Sequence, residues 1–222
     1  TGVERPQGPR AGSKTWQAIV IGLFRAIVLP MSLLLILIEA CNRITSGILI
    51  GLAPMVTIQE LGWTQITYAN WIAITGVTAA VLGVLCSPWI DRVGALRILK
   101  WVVMFRIGLL GLTAALEPYW GIHQVFESFL MINAVATQLV TVTLIALFMR
   151  LCSPRVAASQ FAVYMALANM TYSLGSGLMV PLSHWTHQAG IMLVCAALIA
   201  LMWLLIHWVD FERHDQDLNK LS

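Results

Sequence analysis

Charge is the scarcest ingredient of this chain: Asp, Glu, Lys and Arg together make up 10% of its 222 residues, where a soluble domain carries roughly a quarter. Set against 59% hydrophobic residues and a mean hydropathy of +0.83, that scarcity excludes a soluble globular domain. Cysteine is scarce too. Cys41, Cys86, Cys152 and Cys195 fall inside apolar runs or at their basic ends, which excludes a disulfide framework and shows no zinc-finger spacing. No Lys/Arg-rich run with interleaved aromatics occurs, so the formal charge of +3 does not point to nucleic acid. There is no H-E-x-x-H, no serine nucleophile elbow, no Gly-rich phosphate loop and no acidic cluster suited to a metal. An enzyme, a cofactor and a metal are therefore not expected.

What the chain has in abundance is long apolar runs. A membrane helix needs about 20 such residues to cross roughly 30 Å of hydrocarbon, and six runs qualify: 30–56, 67–90, 96–116, 126–151, 158–182 and 190–208. They are too long and too continuously apolar for the alternating strands of a β-barrel. The expected fold class is all-α, a polytopic membrane protein of six transmembrane helices. Residues 29–209 form the bundle, 1–28 a cytoplasmic linker with an interfacial helix at 16–28, and 210–222 a cytoplasmic tail. The chain starts with Thr, which we read as the mark of a fragment or a processed piece.

Basic residues give the orientation, because Lys and Arg in short loops stay on the cytoplasmic side. One side receives Arg5, Arg10, Lys14, Arg92, Arg97, Lys100, Arg150, Arg155, Arg213 and Lys220; the opposite loops hold Glu60, Glu117, His123, His184 and His187, with no Lys or Arg. Both termini are thus expected in the cytoplasm, and the positive charge faces anionic lipid. Trp16, Trp63, Trp89, Trp120, Trp185 and Trp208 fall near span ends, as interfacial rings do.

Between the second and third runs the chain reads Asp91-Arg92-Val93-Gly94-Ala95-Leu96-Arg97. Gly94 permits a tight reversal, Asp91 is positioned to meet the N-terminus of the next helix, and Arg92 and Arg97 hold the turn at the inner surface. With Gly83 before it, the stretch resembles the G-x(n)-D-R-x-G-R-[KR] signature of the major facilitator superfamily, which lies between the second and third helix of a six-helix half. It departs from that signature at Ala95, where the first Arg of the final pair stands, and by the intruding Ser87-Pro88-Trp89. Ala158, Gln160, Phe161, Ala162, Ala166, Leu167 and Asn169, together with Gly62-Trp63-Thr64, are similar to patterns in AmpG-like permeases of that superfamily. The resemblance implies helices seven to twelve of a transporter and a gating role for Asp91, Arg92, Gly94 and Arg97. It also implies proton-coupled uptake of a bulky polar solute such as a muropeptide or a siderophore. The implied partners are the small-molecule solute, the lipid bilayer of a bacterial inner membrane, and the N-terminal six-helix half or a second copy. A six-helix membrane subunit or assembly factor that does not transport is the alternative.

Polar groups inside the runs are costly and mark a pathway or a buried pair. Glu39, Asn42, Arg43 and Ser46 share one helix face at i, i+3, i+4 and i+7. Arg43 can bind a solute carboxylate, Glu39 can exchange a proton, and the two can equally be a structural ion pair. Gly47, Gly51 and Pro54 follow and suggest a bend or unwinding near the outer end of that helix. Arg106 is expected to snorkel back toward the Lys100 end. His123 and Glu127 open the fourth run, where they can pass protons or sit at the interface. Deeper in it, Asn133, Thr137, Gln138, Thr141 and Thr143 form a stripe that lines a cavity or ties helices. On the fifth run Gln160, Tyr164, Asn169, Tyr172 and Ser173 carry the same two readings, and Asn70 and Thr75 are weaker cases. The expected solute contacts are Glu39, Asn42, Arg43, Asn133, Gln138, Tyr164 and Asn169, with Glu39 and Glu127 for proton coupling.

Overall fold

The computed structural model describes residues 29–152 and 157–209. The expected linker, interfacial helix, tail and Ser153–Arg155 loop lie outside the described residues. Six long helices follow one another: α1 (Pro30–Pro54), α2 (Gln65–Val93), α3 (Ala95–Ala115), α4 (His123–Leu151), α5 (Ala157–Trp185) and α6 (Gln188–Ile206). Each apolar run is a helix, and the ends move by a few residues. Pro30 at the first turn of α1 stands where its missing N–H is not needed. Thr64 caps α2 by accepting from the Thr67 amide at 3.1 Å. Beyond Pro54 the winding changes to a π-helix, Met55–Glu60, which accounts for the irregular outer end expected of this helix.

Five of the helices are long and apolar enough to cross a membrane among the described residues, counting α1 with its π extension. The exception is α5, which the sequence reading ranked with the others. Its 29 residues include Ser159, Gln160, Asn169, Thr171, Ser173, Ser176 and Ser183, and so many polar groups lower its apolar character.

The described links between α1 and α2, α2 and α3, α3 and α4, and α5 and α6 are short, so those neighbours run antiparallel. The tightest connection is between α2 and α3, where Gly94 alone lies between Val93 and Ala95 with φ at 98°, a conformation only glycine adopts without strain. In space α1 packs mainly on α5 and α6, α3 on α6 and α4, and α4 also on α2. The result is a back layer of α3 and α6 behind a front of α5, α1, α4 and α2. The front is sealed at one seam by two glycines. A Cβ on Gly47 would lie 2.2 Å from the Tyr172 carbonyl oxygen, and one on Gly175 would lie 2.3 Å from that of Ile44, so α1 and α5 cross with their backbones in contact. Leu35, Ile38, Leu52, Phe126, Val140, Phe148, Met192 and Ile199 fill the interior.

Candidate functional site: a cleft between α1, α2 and α4

Where α1, α2 and α4 do not close on one another they leave a half-open cleft of about 280 Å³, which also reaches Tyr172 of α5 and Met192 of α6. Its polar lining is Ser46, Tyr68, Thr75, Asn133, Thr137, Gln138 and Tyr172. Helical spacing puts Asn133 and Thr137 one turn apart on the same face of α4. Gln138 is held against α2, where a Cβ on Gly83 would come within 3.0 Å of its Cγ. The rest of the expected α4 stripe is turned to its own backbone: Thr141 donates to the Thr137 carbonyl at 3.0 Å, and Thr143 to those of Leu139 and Val140. Asn133 Oδ1 and Thr137 Oγ1 are different, since both are buried without a hydrogen-bond partner among the described residues. Buried polar atoms in that condition are uncommon and ask for a partner that completes them.

The charged residues lie elsewhere. Glu39 is buried and accepts from Arg43 Nε at 2.5 Å, an i, i+4 pair along α1 in which Arg43 retains 23% side-chain exposure. Neither residue lines the cleft. Glu39 touches only a second, much smaller cavity of about 10 Å³ beside Phe148, Tyr164 and Thr171, room for roughly one water. Asn42 is sealed as well, and its Oδ1 accepts from Arg106 Nη1 at 2.8 Å across the α1–α3 interface. The expectation that Arg106 snorkels is thereby overturned: its side chain is completely buried. The physical reason is depth. Arg106 lies 11 positions into α3, about 16 Å of rise, too far for its stem to return the guanidinium to the interface. Sequence reasoning missed the Asn42–Arg106 bond, although that depth was a usable signal. Glu39 Oε2, Asn42 Nδ2, Thr45 Oγ1 and Arg106 Nε and Nη2 are buried without partners.

Tyr164 is a tie between helices. Its hydroxyl accepts from Gln160 Nε2 at 2.6 Å and donates to Ser32 Oγ on α1 at 3.1 Å, while its ring stacks on Phe148 with centroids 4.8 Å apart. Asn169 is exposed on α5, outside the cleft lining, on a face it shares with exposed Ser173 and Ser176. Tyr172, half-buried and three positions on, is the α5 residue that reaches the cleft. His123 is engaged by the loop after α1: its Nδ1 accepts from Trp63 Nε1 at 3.1 Å. Glu127, one turn further, is half-buried and forms no ion pair among the described residues. Glu60 accepts from Gln188 Nε2, joining the end of α1 to the start of α6.

At the opposite end of the bundle, Asp91 and Arg92 close the last turn of α2 and Arg97 lies in the first turn of α3, all three exposed. Asp91 does not cap α3 as expected. The helix begins directly on Gly94 with no side-chain cap, because a one-residue link leaves the aspartate on the helix that has just ended.

A family model described as the Major Facilitator Superfamily matches residues 35–221. Comparison with curated proteins, and likewise with solved structures, gave no significant match. The family match runs from the first turns of α1 past the end of α6, over the whole arrangement of back layer, open front and cleft. The chain belongs to the Major Facilitator Superfamily.

Proposed function

We propose that this chain is one six-helix wall of a secondary active transporter that takes up a bulky polar solute with protons. The observation that carries the reading is the cleft between α1, α2 and α4, open on a front whose flanking α5 presents Asn169, Ser173 and Ser176 to the exterior. Alternating access in such proteins rocks two repeats about a site near the midplane. The second wall is then the N-terminal six-helix half or a second copy. Solute contacts are Asn133, Gln138 and, on the moving front, Asn169; Glu39, Asn42, Arg43 and Tyr164 act from within the wall. Glu39 and Glu127 are the carboxyl groups available for coupling, and Asp91, Arg92, Gly94 and Arg97 form the inner gate. The AmpG-like patterns support a muropeptide or siderophore as solute, in a bacterial inner membrane with both termini cytoplasmic. A non-transporting membrane subunit is the second reading, favoured by the burial of Asn42, Tyr164 and Arg106. Vesicles carrying the complete gene product, given labelled muropeptide or ferric siderophore under an inward proton gradient, separate the two. Gradient-driven uptake that Glu39→Gln and Arg43→Ala abolish is the expected result, and absence of uptake for both solutes overturns the transport reading.

A further inference from the structure

The cleft is sorted along its length, and among the described residues no charged side chain lines it. On α4 the lining passes from Phe126, Phe129 and Leu130 near the Glu60 end to Asn133, Thr137 and Gln138 in the middle of the bundle. On α1, which runs the other way, it passes from Ser46 in the middle to Leu49, Ile50 and Ala53 toward the same end. On α2 the lining runs from Tyr68 and Ile72 at the outer end to Thr75, Gly76 and Ala79 and does not repeat this order. Two helices, α1 and α4, thus give the cleft a polar, uncharged floor and a largely apolar mouth. The nearest cation on α1, Arg43, stands one turn below Ser46 and is already paired with Glu39. Arg106 is sealed against Asn42.

We propose that the part of the solute seated on this wall is uncharged: an amide- or hydroxyl-bearing head that meets Asn133, Thr137 and Gln138, joined to an apolar or aromatic body in the mouth. The inference rests on reading the cleft as the solute wall. Asn133 Oδ1 lacks a donor, and a hydroxyl or amide N–H of the head supplies it; Thr137 Oγ1, also without a partner, accepts a second or donates to a carbonyl. A carboxylate in the same place is desolvated without a cation to compensate it, so it binds more weakly than its neutral counterpart. Anionic portions of a larger solute therefore lie off this wall.

The test uses twin probes that differ in one charge: N-acetylphenylalaninamide against N-acetylphenylalaninate, and phenyl β-glucoside against phenyl β-glucuronide. Each is titrated into the chain in nanodiscs, with binding read from tryptophan fluorescence and thermal shift. The neutral member of at least one pair is expected to bind about tenfold more tightly than its anionic twin, and Asn133→Leu and Thr137→Val are each expected to weaken it about tenfold. Either variant suffices if the other fails to fold. The proposal is overturned if an anionic twin binds as well as its neutral partner, if neither substitution matters, or if no probe binds. Uptake of solute by wild-type vesicles alongside an anionic preference would sink this inference and leave the transport reading standing, whereas absence of uptake sinks the transport reading itself.

Discussion

Two sets of residues on α1 differ in kind. One set, Glu39, Asn42, Thr45 and Gly47, is buried within the bundle, where Glu39 pairs with Arg43, Asn42 accepts from Arg106 of α3 and Gly47 meets the α5 backbone. The other, Ser46, Leu49, Ile50 and Ala53, looks into the cleft. Thr45 and Ser46 are adjacent in the chain, yet the first is fully buried and the second faces open space. The difference teaches that Glu39, Arg43 and Arg106 are held by partners within the bundle while the cleft is lined by neutral groups. Low dielectric explains the division, since a charge is tolerated inside a bundle only where a partner is fixed beside it.

The largest expected effect breaks the sealed side at its closest point. Gly47→Val or Gly175→Val drives a side chain into a backbone carbonyl at about 2 Å and is expected to cost about 3 kcal/mol or more, seen as loss of the monodisperse peak in size-exclusion chromatography. Gly177→Ala on the same helix meets nothing within 4 Å and is expected to be neutral or to stabilise by up to about 1 kcal/mol.

Next comes the buried cation. Asn42→Leu strips Arg106 of its hydrogen-bond partner and leaves a sealed guanidinium alone, at an expected cost of about 3 kcal/mol. Adding Arg106→Leu removes the orphaned charge, so the double variant is expected to recover most of that loss in thermal denaturation. Simple addition of the two single effects would contradict the cohesive role given to this side of α1.

Tyr164→Phe sharpens the same contrast at a smaller scale. It deletes one hydroxyl bonded to both Gln160 and Ser32, for an expected loss of about 1 kcal/mol in thermal denaturation. Trp63→Phe is the mildest. Its indole bond ends on an exposed histidine, so the expected loss in thermal denaturation is below about 1 kcal/mol.

Helix number and order were legible in the sequence because continuous apolar length is a strong signal, and the reversal at Gly94 was legible because its neighbours are charged. The polar stripe of α4 was legible as a stripe, and of its two readings Asn133, Thr137 and Gln138 follow the one that lines a cavity. What was hidden depends on rotation about each helix axis. Asn169 and Tyr172 are near neighbours on α5, and only contact with α1 decides that Tyr172, not Asn169, reaches the cleft. Glu39 and Asn42 share a face with Ser46 by spacing, and depth along α1 divides them, since both are buried while Ser46, one to two turns further on, lines the cleft. Arg106 was misread because its basic neighbours suggested an interface, when its position in the middle of α3 already ruled one out.

Thr45→Cys and Ser46→Cys, each in a background without the four native cysteines, test the division most directly. With the protein folded in nanodiscs, a charged, membrane-impermeant thiol reagent is expected to modify the cysteine at 46 and to leave the one at 45 untouched until the bundle is unfolded. Equal reaction at both positions, or reaction at 45 alone, would contradict a sealed charged side and an open neutral one.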